Sequence, residues 1–291
     1  MGGLGNQLFQ YSFARAFSLR NGFRMKYDPY SLFINSIYNN KYELKYFPIK
    51  ADRVSNLGII KFFLFRIFRK LLSKRNIIYK NKLFIKLYGE LLMEENNKFD
   101  LKFMKREKIS DIDCVGYFQS YKYFEEFKDN ILDETTPITP SNSDIVKLGK
   151  IIGKQESVSV GLRFFEEDQK FKKNFYSDLE LIQIINKVII KLRNKLPKVR
   201  FFIFCSYNNP YLSKLLVPSS TNFITGDNEL YGATETLWLI SKCKHHIFTP
   251  STFYWWGAWL SQRNHDVSNQ LIFAQDHLYM PPIPKSWSKF K

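Results

Sequence analysis

The sequence predicts an α/β fold with a parallel, doubly wound sheet in its second half. Between residues 157 and 273, strand-length apolar runs alternate with segments of helical period, which implies βαβ units and ligands at the carboxyl ends of the strands. A polar stretch at 133–144, DETTPITPSNSD, separates that region from what precedes it. The chain opens on a glycine-rich turn leading into a helical pattern, MGGLGNQLFQY, as the first turn of an α/β domain does. A length of 291 residues suits one large or two medium domains.

From Gln7 to Leu19 the apolar residues Leu8, Phe9, Phe13, Ala16 and Phe17 recur at helical spacing. Asn21-Gly22 stops that helix, and Phe23 to Tyr27 reads as a short strand ending at Asp28-Pro29. A glycine-rich turn ordinarily follows a strand, yet Met1 directly precedes Gly2-Gly3. The unit is therefore an incomplete βαβ, and its first strand is expected to be missing through a late start or a truncation. Residues 59–89 hold nine Lys or Arg and no Asp or Glu, with Phe62, Phe63, Phe65, Ile67 and Phe68 among them. These aromatics either pack on the core or lie on an anionic lipid surface, where each basic residue contributes roughly 1 kcal/mol. After the boundary, strands are expected at 157–162, 199–205, 246–248 and 270–273. Helices are expected at 178–196, 228–242 and from Tyr254 to Leu260. The domains expected are 1–140, which carries the 59–89 insertion, and 145–291.

Hydrophobic residues make up 45% of the chain and charged residues 24%, a composition that excludes disorder. A formal net charge of +17 predicts attraction to polyanions: nucleic acid, an anionic leaflet or phosphorylated small molecules. No recognised nucleic-acid-binding motif accompanies the charge. Cys114, Cys205 and Cys243 are an odd count without a C-x-x-C pair, which supports neither a disulfide framework nor a zinc site and points to a reducing cytoplasm. No leader pattern and no 18-residue apolar run occur, so a soluble or peripheral protein is expected.

The opening loop presents backbone N–H groups at a helix N-terminus, where the helix dipole also favours an anion. It is not the dinucleotide fingerprint, because Leu8 stands where the third glycine would be, and it lacks the G-K-[ST] of a P-loop. Gly3, Gly5, Asn6 and Gln7 are its candidates for binding a phosphate or a close polar ligand. GGLGNQLFQY resembles the opening motif of glycosyltransferase family 11, the α-1,2-fucosyltransferases. Gly116-Tyr117-Phe118-Gln119-Ser120 with Lys122-Tyr123-Phe124 is similar to a second family segment. A third is Pro250-Ser251-Thr252 before Phe253-Tyr254-Trp255-Trp256-Gly257-Ala258-Trp259-Leu260, and the closing Ile283-Pro284-Lys285-Ser286-Trp287 is a fourth.

That resemblance implies a GT-B architecture, two Rossmann-like domains facing a central cleft. It also implies an acceptor-side first half and a nucleotide-sugar-binding second half, GDP-β-L-fucose as donor, inversion at the fucose anomeric carbon without a metal, and a galactose-like acceptor in a cell-surface glycan precursor. The basic island suits a lipid-linked acceptor, which would keep the enzyme at the inner face of an anionic membrane. Ser251, Thr252 and Phe253 would hold the donor diphosphate, while Trp255, Trp256 and Trp259 are expected mainly to pack. Arg163 falls on the first arginine of the family's H-x-R-x-G-D and would neutralise the leaving diphosphate. The same stretch departs from the pattern, with Gly161 at the histidine, Phe165 at the glycine and Glu166 at the aspartate. Ser206 is kept from Ser-Asp-Asp, but Tyr207 and Asn208 replace the acidic residues. A guanine contact then falls to Asn208 or Asn209, or the nucleotide differs. An inverting transferase needs a carboxylate base within about 3 Å of the acceptor hydroxyl, and Glu166, Glu167, Asp168 and Asp28 are candidates. Asp111-Ile112-Asp113 has D-x-D spacing but no metal assigned by the resemblance, and His245-His246 lacks a third ligand and is expected to be structural. The alternatives are a same-fold transferase with another nucleotide sugar and a basic nucleic-acid-binding module.

Overall fold

A computed structural model of the protein describes residues 2–27, 41–55, 57, 58, 60, 64, 90–94, 99–104, 112–164, 176–227 and 230–291. The chain divides into two compact units, Met1–Lys45 with Ile49–Glu134, and Tyr46–Pro48 with Thr135–Lys291.

In the first unit, helix α1 (Leu4–Asn21) starts three residues earlier than its apolar period and ends at Gly22. Leu8, Phe9, Phe13, Ala16 and Phe17, the residues that carry the period, are all buried. Two short parallel pairs accompany it: β1 (Lys26–Tyr27) with β2 (Asp52–Arg53), and β3 (Glu90–Met93) with β4 (Ile112–Val115). Phe13 stacks on Phe118 with ring centroids 3.7 Å apart, and Phe103 and Tyr123 close the cluster edge-on. Glu134 is buried in helix α2 (Lys128–Thr135), where Arg15 of α1 pairs with it at 2.8 Å and Tyr11 donates its hydroxyl to it.

The second unit begins with helix α3 (Ser143–Gly153), capped by Asn142. Strand β5 (Ser157–Leu162) follows, then α4 (Asp178–Lys195), β6 (Arg200–Cys205), β7 (Asn222–Thr225) and α5 (Ala233–Lys242). The chain continues through β8 (His245–Phe248), α6 (Thr252–Ser261), β9 (Ile272–Gln275) and β10 (Ser288–Phe290). All six strands are parallel, in the order β10-β9-β8-β5-β6-β7. Counting from β5, this is the 3-2-1-4-5-6 order of a dinucleotide-binding sheet. Strands β7 and β10, which the apolar pattern does not announce, are its two edges.

Every residue of β5 is buried, as a sheet covered on both faces requires. The pleat sends Val158, Val160 and Leu162 to one side, where they pack on Leu181, Ile182, Ile185, Val188 and Ile189 of α4. A capping box between Ser177 and Glu180 fixes the start of α4. The opposite side carries α5 and α6, which pack on each other. Trp255, Trp256 and Trp259 of α6 are buried there as the packing role expects, and the Trp255 indole N–H donates to Pro282 O at 3.1 Å. His246 Nδ1 lies 2.7 Å from Ser159 Oγ, and His245 pairs with Glu156; both histidines are tied into the sheet rather than presented to a ligand.

Candidate active site

In a sheet of this order, ligands settle outside the carboxyl ends where the strand order reverses, here between β5 and β8. Thr249, just after β8, stitches the two strand ends together: its N–H donates to Gly161 O at 3.0 Å, and its Oγ1 accepts the Arg163 N–H at 2.8 Å. The Arg163 side chain is exposed at this edge. Ser251 caps α6, with Oγ accepting from the N–H groups of Phe253 (3.2 Å) and Tyr254 (3.5 Å). Its hydroxyl is thus turned into the helix. The N–H of Thr252 has no hydrogen-bond partner among the described residues, so the donor facing outward from this turn is Thr252, with the half-exposed Phe253 beside it.

Tyr254 explains why position 161 is a glycine. A Cβ on Gly161 would lie 2.5 Å from Cγ of the Tyr254 ring, so the ring occupies the space a side chain would need. The Tyr254 hydroxyl lies 3.1 Å from the carbonyl oxygens of both Leu162 and Phe204, clasping the ends of β5 and β6. Burial pushes its pKa up, out of the physiological range.

At the end of β6 the two asparagines differ in their surroundings. Asn209 is buried and fully engaged: its amide donates to Asp178 at 2.7 Å and to the Tyr207 hydroxyl, and its Oδ1 accepts the Tyr211 N–H. Asn208 and Ser206 are exposed. The Asn208 N–H donates at 2.7 Å to Asp227, which follows β7. A carboxylate therefore does sit at this edge, supplied by the neighbouring strand. Sequence reading missed it because β7 carries too little apolar signal to be assigned. Arg163, Ser206, Asn208, Ser251, Thr252 and Phe253 are all brought to this one sheet edge.

The glycine loop belongs to the first unit. Gly3 caps α1 without a side chain, and its carbonyl accepts from Asn6 and Gln7. The N–H groups of Leu4 and Gly5 have no partner among the described residues. Gln7 is buried, donating both amide N–H groups to Gly2 O and Lys41 O and accepting the Glu43 N–H, so its amide holds the loop's shape and has no donor left for a ligand. Asn6 Oδ1 accepts from Gln119 at 2.9 Å, which joins two of the segments that carry the family resemblance. Glu166, Glu167, Asp168, Asp28 and most of the 59–89 island lie outside the described residues, as does Asp111; Asp113 lies within β4. Among the described residues no group of three His, Cys, Asp or Glu side chains is placed to hold a metal.

The α-1,2-colitosyltransferase of Escherichia coli is 26% identical over all of this chain and 97% of its own length. The O-antigen biosynthesis glycosyltransferase WbnK of Escherichia coli is 24% identical, over 89% of this chain and 88% of its own. Among solved structures, the glycosyl transferase family 9 protein from Veillonella parvula DSM 2008 superposes with a TM-score of 0.44 at 9% identity, covering 99% of this chain and 84% of that one. The family model for glycosyl transferase family 11 matches residues 1–272, spanning both the glycine loop and the sheet edge after β8. The chain is a glycosyltransferase and belongs to glycosyl transferase family 11.

Proposed function

We propose that the protein is an inverting transferase that moves L-fucose from GDP-β-L-fucose, in α-1,2 linkage, to a galactose-like residue of a cell-surface glycan precursor. The observation that supports this most directly is the shared carboxyl end of β5 and β8: the exposed Arg163 follows β5, tied by its backbone to Thr249, and the Thr252 N–H opens α6 three residues further on, with no partner among the described residues. A diphosphate leaving group needs such stabilisation when no metal neutralises it. The Asp227 carboxylate beside Asn208 offers the acceptor oxygens that the N1–H and amino group of a guanine edge would use. A second reading of the donor sugar is favoured by the relative named for colitosyl transfer, since colitose differs from L-fucose only in lacking the 3-hydroxyl. Transfer assays with GDP-fucose, GDP-colitose, UDP-galactose and dTDP-rhamnose separate these readings. Turnover confined to UDP- or dTDP-sugars would overturn the guanine assignment.

Localisation at the cytoplasmic face of a membrane is part of the same proposal. Among the described residues no helix is long and apolar enough to cross a membrane. Leu57, just before the basic island, and Ile60 and Leu64 at its start nevertheless expose 79%, 55% and 46% of their surface at helical spacing. That combination suits shallow insertion into anionic lipid. Co-sedimentation with phosphatidylglycerol vesicles tests it, and binding that survives charge reversal of the island's lysines would refute it.

A further inference from the structure

The donor edge uses the carboxyl ends of the strands in the second unit, and the opposite end of the same sheet has no task in it. Helices α3, α4, α5 and α6 lead into β5, β6, β8 and β9 by turns at that end, over residues 154–156, 196–199, 243–244 and 262–271. Lys154 stands in the first turn, Lys198 in the second with Arg200 opening β6, Lys244 in the third and Arg263 in the fourth. Glu156 and Asp266 are the acidic residues of these turns. Glu156 is already paired, with Lys244 at 2.8 Å and with His245, and Asp266 caps the turn that follows it.

Helix dipoles account for part of this pattern. A helix C-terminus favours cations in its last turn, which covers Lys150, Arg193, Lys195 and Lys242. It does not cover Lys198, Arg200 and Lys244, which belong to turns and a strand start. Lys154, Lys195, Lys198 and Arg200 are exposed and form no ion pair among the described residues. Like charges are also crowded here: burial lowers the Lys242 pKa below the ordinary lysine value, and neighbouring Arg263 pushes it the same way. Cations gathered at one end of a sheet repel one another, and an anion laid against them relieves that repulsion.

This end of the sheet is a firm and broad surface. Hydrogen bonds join its turns: the Arg200 N–H to Glu156 O at 2.8 Å, the Lys244 N–H to Ser157 Oγ at 3.1 Å, and the amides of Asn264 and Gln270 to Ser241 O and Lys244 O, each at 3.0 Å. Four adjacent strands, β9-β8-β5-β6, carry it, and at about 4.7–4.9 Å between neighbours they span about 15 Å. That is wider than one phosphate group and suits an array of them. The turns hold no Phe, Tyr or Trp, so they lack the rings on which the bases of single-stranded nucleic acid stack. Ile151, in the last turn of α3, instead exposes 49% of its surface between Lys150 and Lys154 in the chain. Basic residues around an exposed aliphatic one are what an anionic lipid surface selects.

We infer that the amino-terminal end of this sheet is a docking surface for an anionic membrane, its lysines and arginines meeting lipid phosphates. This extends the membrane reading above to a surface that the 59–89 island does not contain. Strand β5 is six residues long, so about 20 Å of strand separates the docked end from the donor edge. Docking therefore leaves the donor edge open to water.

Co-sedimentation of the full chain with vesicles of equal parts phosphatidylglycerol and phosphatidylcholine tests the surface, with Lys195→Gln, Lys198→Gln and Arg200→Gln combined in one variant. Each basic residue contributes roughly 1 kcal/mol at such a surface, so the three changes should weaken binding about a hundredfold and leave the melting temperature unchanged. Neutralising Lys147, Lys187 and Lys214, which lie outside these turns, should weaken it by less than about threefold. Equal losses in the two variants would mean that net charge drives binding, and would overturn the inference, as would a first variant that binds like wild type. Should that variant not fold, Lys198→Gln alone decides: a loss of about fivefold supports the surface, and no loss overturns it. Binding lost on reversing the island's lysines but kept in the first variant leaves the island reading standing and removes this one. No vesicle binding by the wild type removes both. Retention of single-stranded RNA in place of vesicles, lost in the first variant, would assign the surface to nucleic acid and overturn the lipid assignment.

Discussion

Gly161→Ala tests whether Tyr254 is the piece that shapes the switch-point edge. The added methyl would lie 2.5, 2.6 and 2.9 Å from Cγ, Cδ1 and Cδ2 of the Tyr254 ring. Ordinary carbon contacts need about 3.5–4.0 Å, so the ring must retreat by roughly 1 Å. It cannot do so freely, because its hydroxyl is clasped at 3.1 Å to Leu162 O and Phe204 O and its backbone lies in the first turn of α6. Overpacking of this kind costs about 1–3 kcal/mol, and weakening the hydroxyl's hydrogen bond adds about 1. With each kcal/mol worth about 2–4 °C in a domain of 150–250 residues, the melting temperature should fall by about 5–15 °C. Donor affinity should fall with it, since the shifted turn carries Thr252. Thermal unfolding and nucleotide titration read the two effects. In a Tyr254→Leu background the same alanine should cost much less, a coupling that identifies the ring as the obstacle. A Gly161→Ala protein that melts within about 1 °C of wild type and binds donor normally would show that the edge tolerates a side chain and that the Tyr254 ring is not what requires the glycine.

Arg163→Ala should lower kcat/KM a hundredfold or more, on the order of 3 kcal/mol if the guanidinium meets the leaving phosphate, and near-normal steady-state turnover would refute that role. Arg15→Ala strands the buried Glu134 carboxylate and should destabilise the protein by about 3–5 kcal/mol, with Glu134→Gln in the same background recovering part of the loss, as measured by urea unfolding. Burial holds the His246 pKa down at about 3, with His245 and His265 opposing its charge. The unfolded chain therefore binds a proton that the folded chain does not, and stability present above pH ~6.5 is lost as pH falls toward 3, at up to about 1.4 kcal/mol per pH unit. His246→Asn should flatten that slope in unfolding experiments across the acidic range. An unchanged slope would mean that other groups, such as His245, also held down by burial, dominate.

The elements legible in the sequence are those whose signal is local. The period of Leu8, Phe9, Phe13, Ala16 and Phe17 reads directly as the buried face of α1, and the unbroken apolar runs of β5 and β6 read as strands covered on both faces, because burial imposes those patterns on contiguous residues. The ordered segments from Gly2 to Trp287 likewise sufficed to place the chain in its family. Strands β7 and β10 were not legible: they are sheet edges, largely exposed, and hydrogen bonding to a neighbour distant in sequence makes them strands. The same physics governs the site. Sequence could propose Gln7, Asn209 and the Ser251 hydroxyl as ligands, since an amide or hydroxyl in a loop is free until its partners are known. Only the folded chain shows those groups satisfied by backbone and neighbours, while Thr252, Asn208 and Asp227 are left facing outward. Sequence alone determined the fold class and the chemistry's family through local pattern. Tertiary structure decided which polar groups remain available, because hydrogen-bond satisfaction depends on what lies close in space and not on what lies next in the chain.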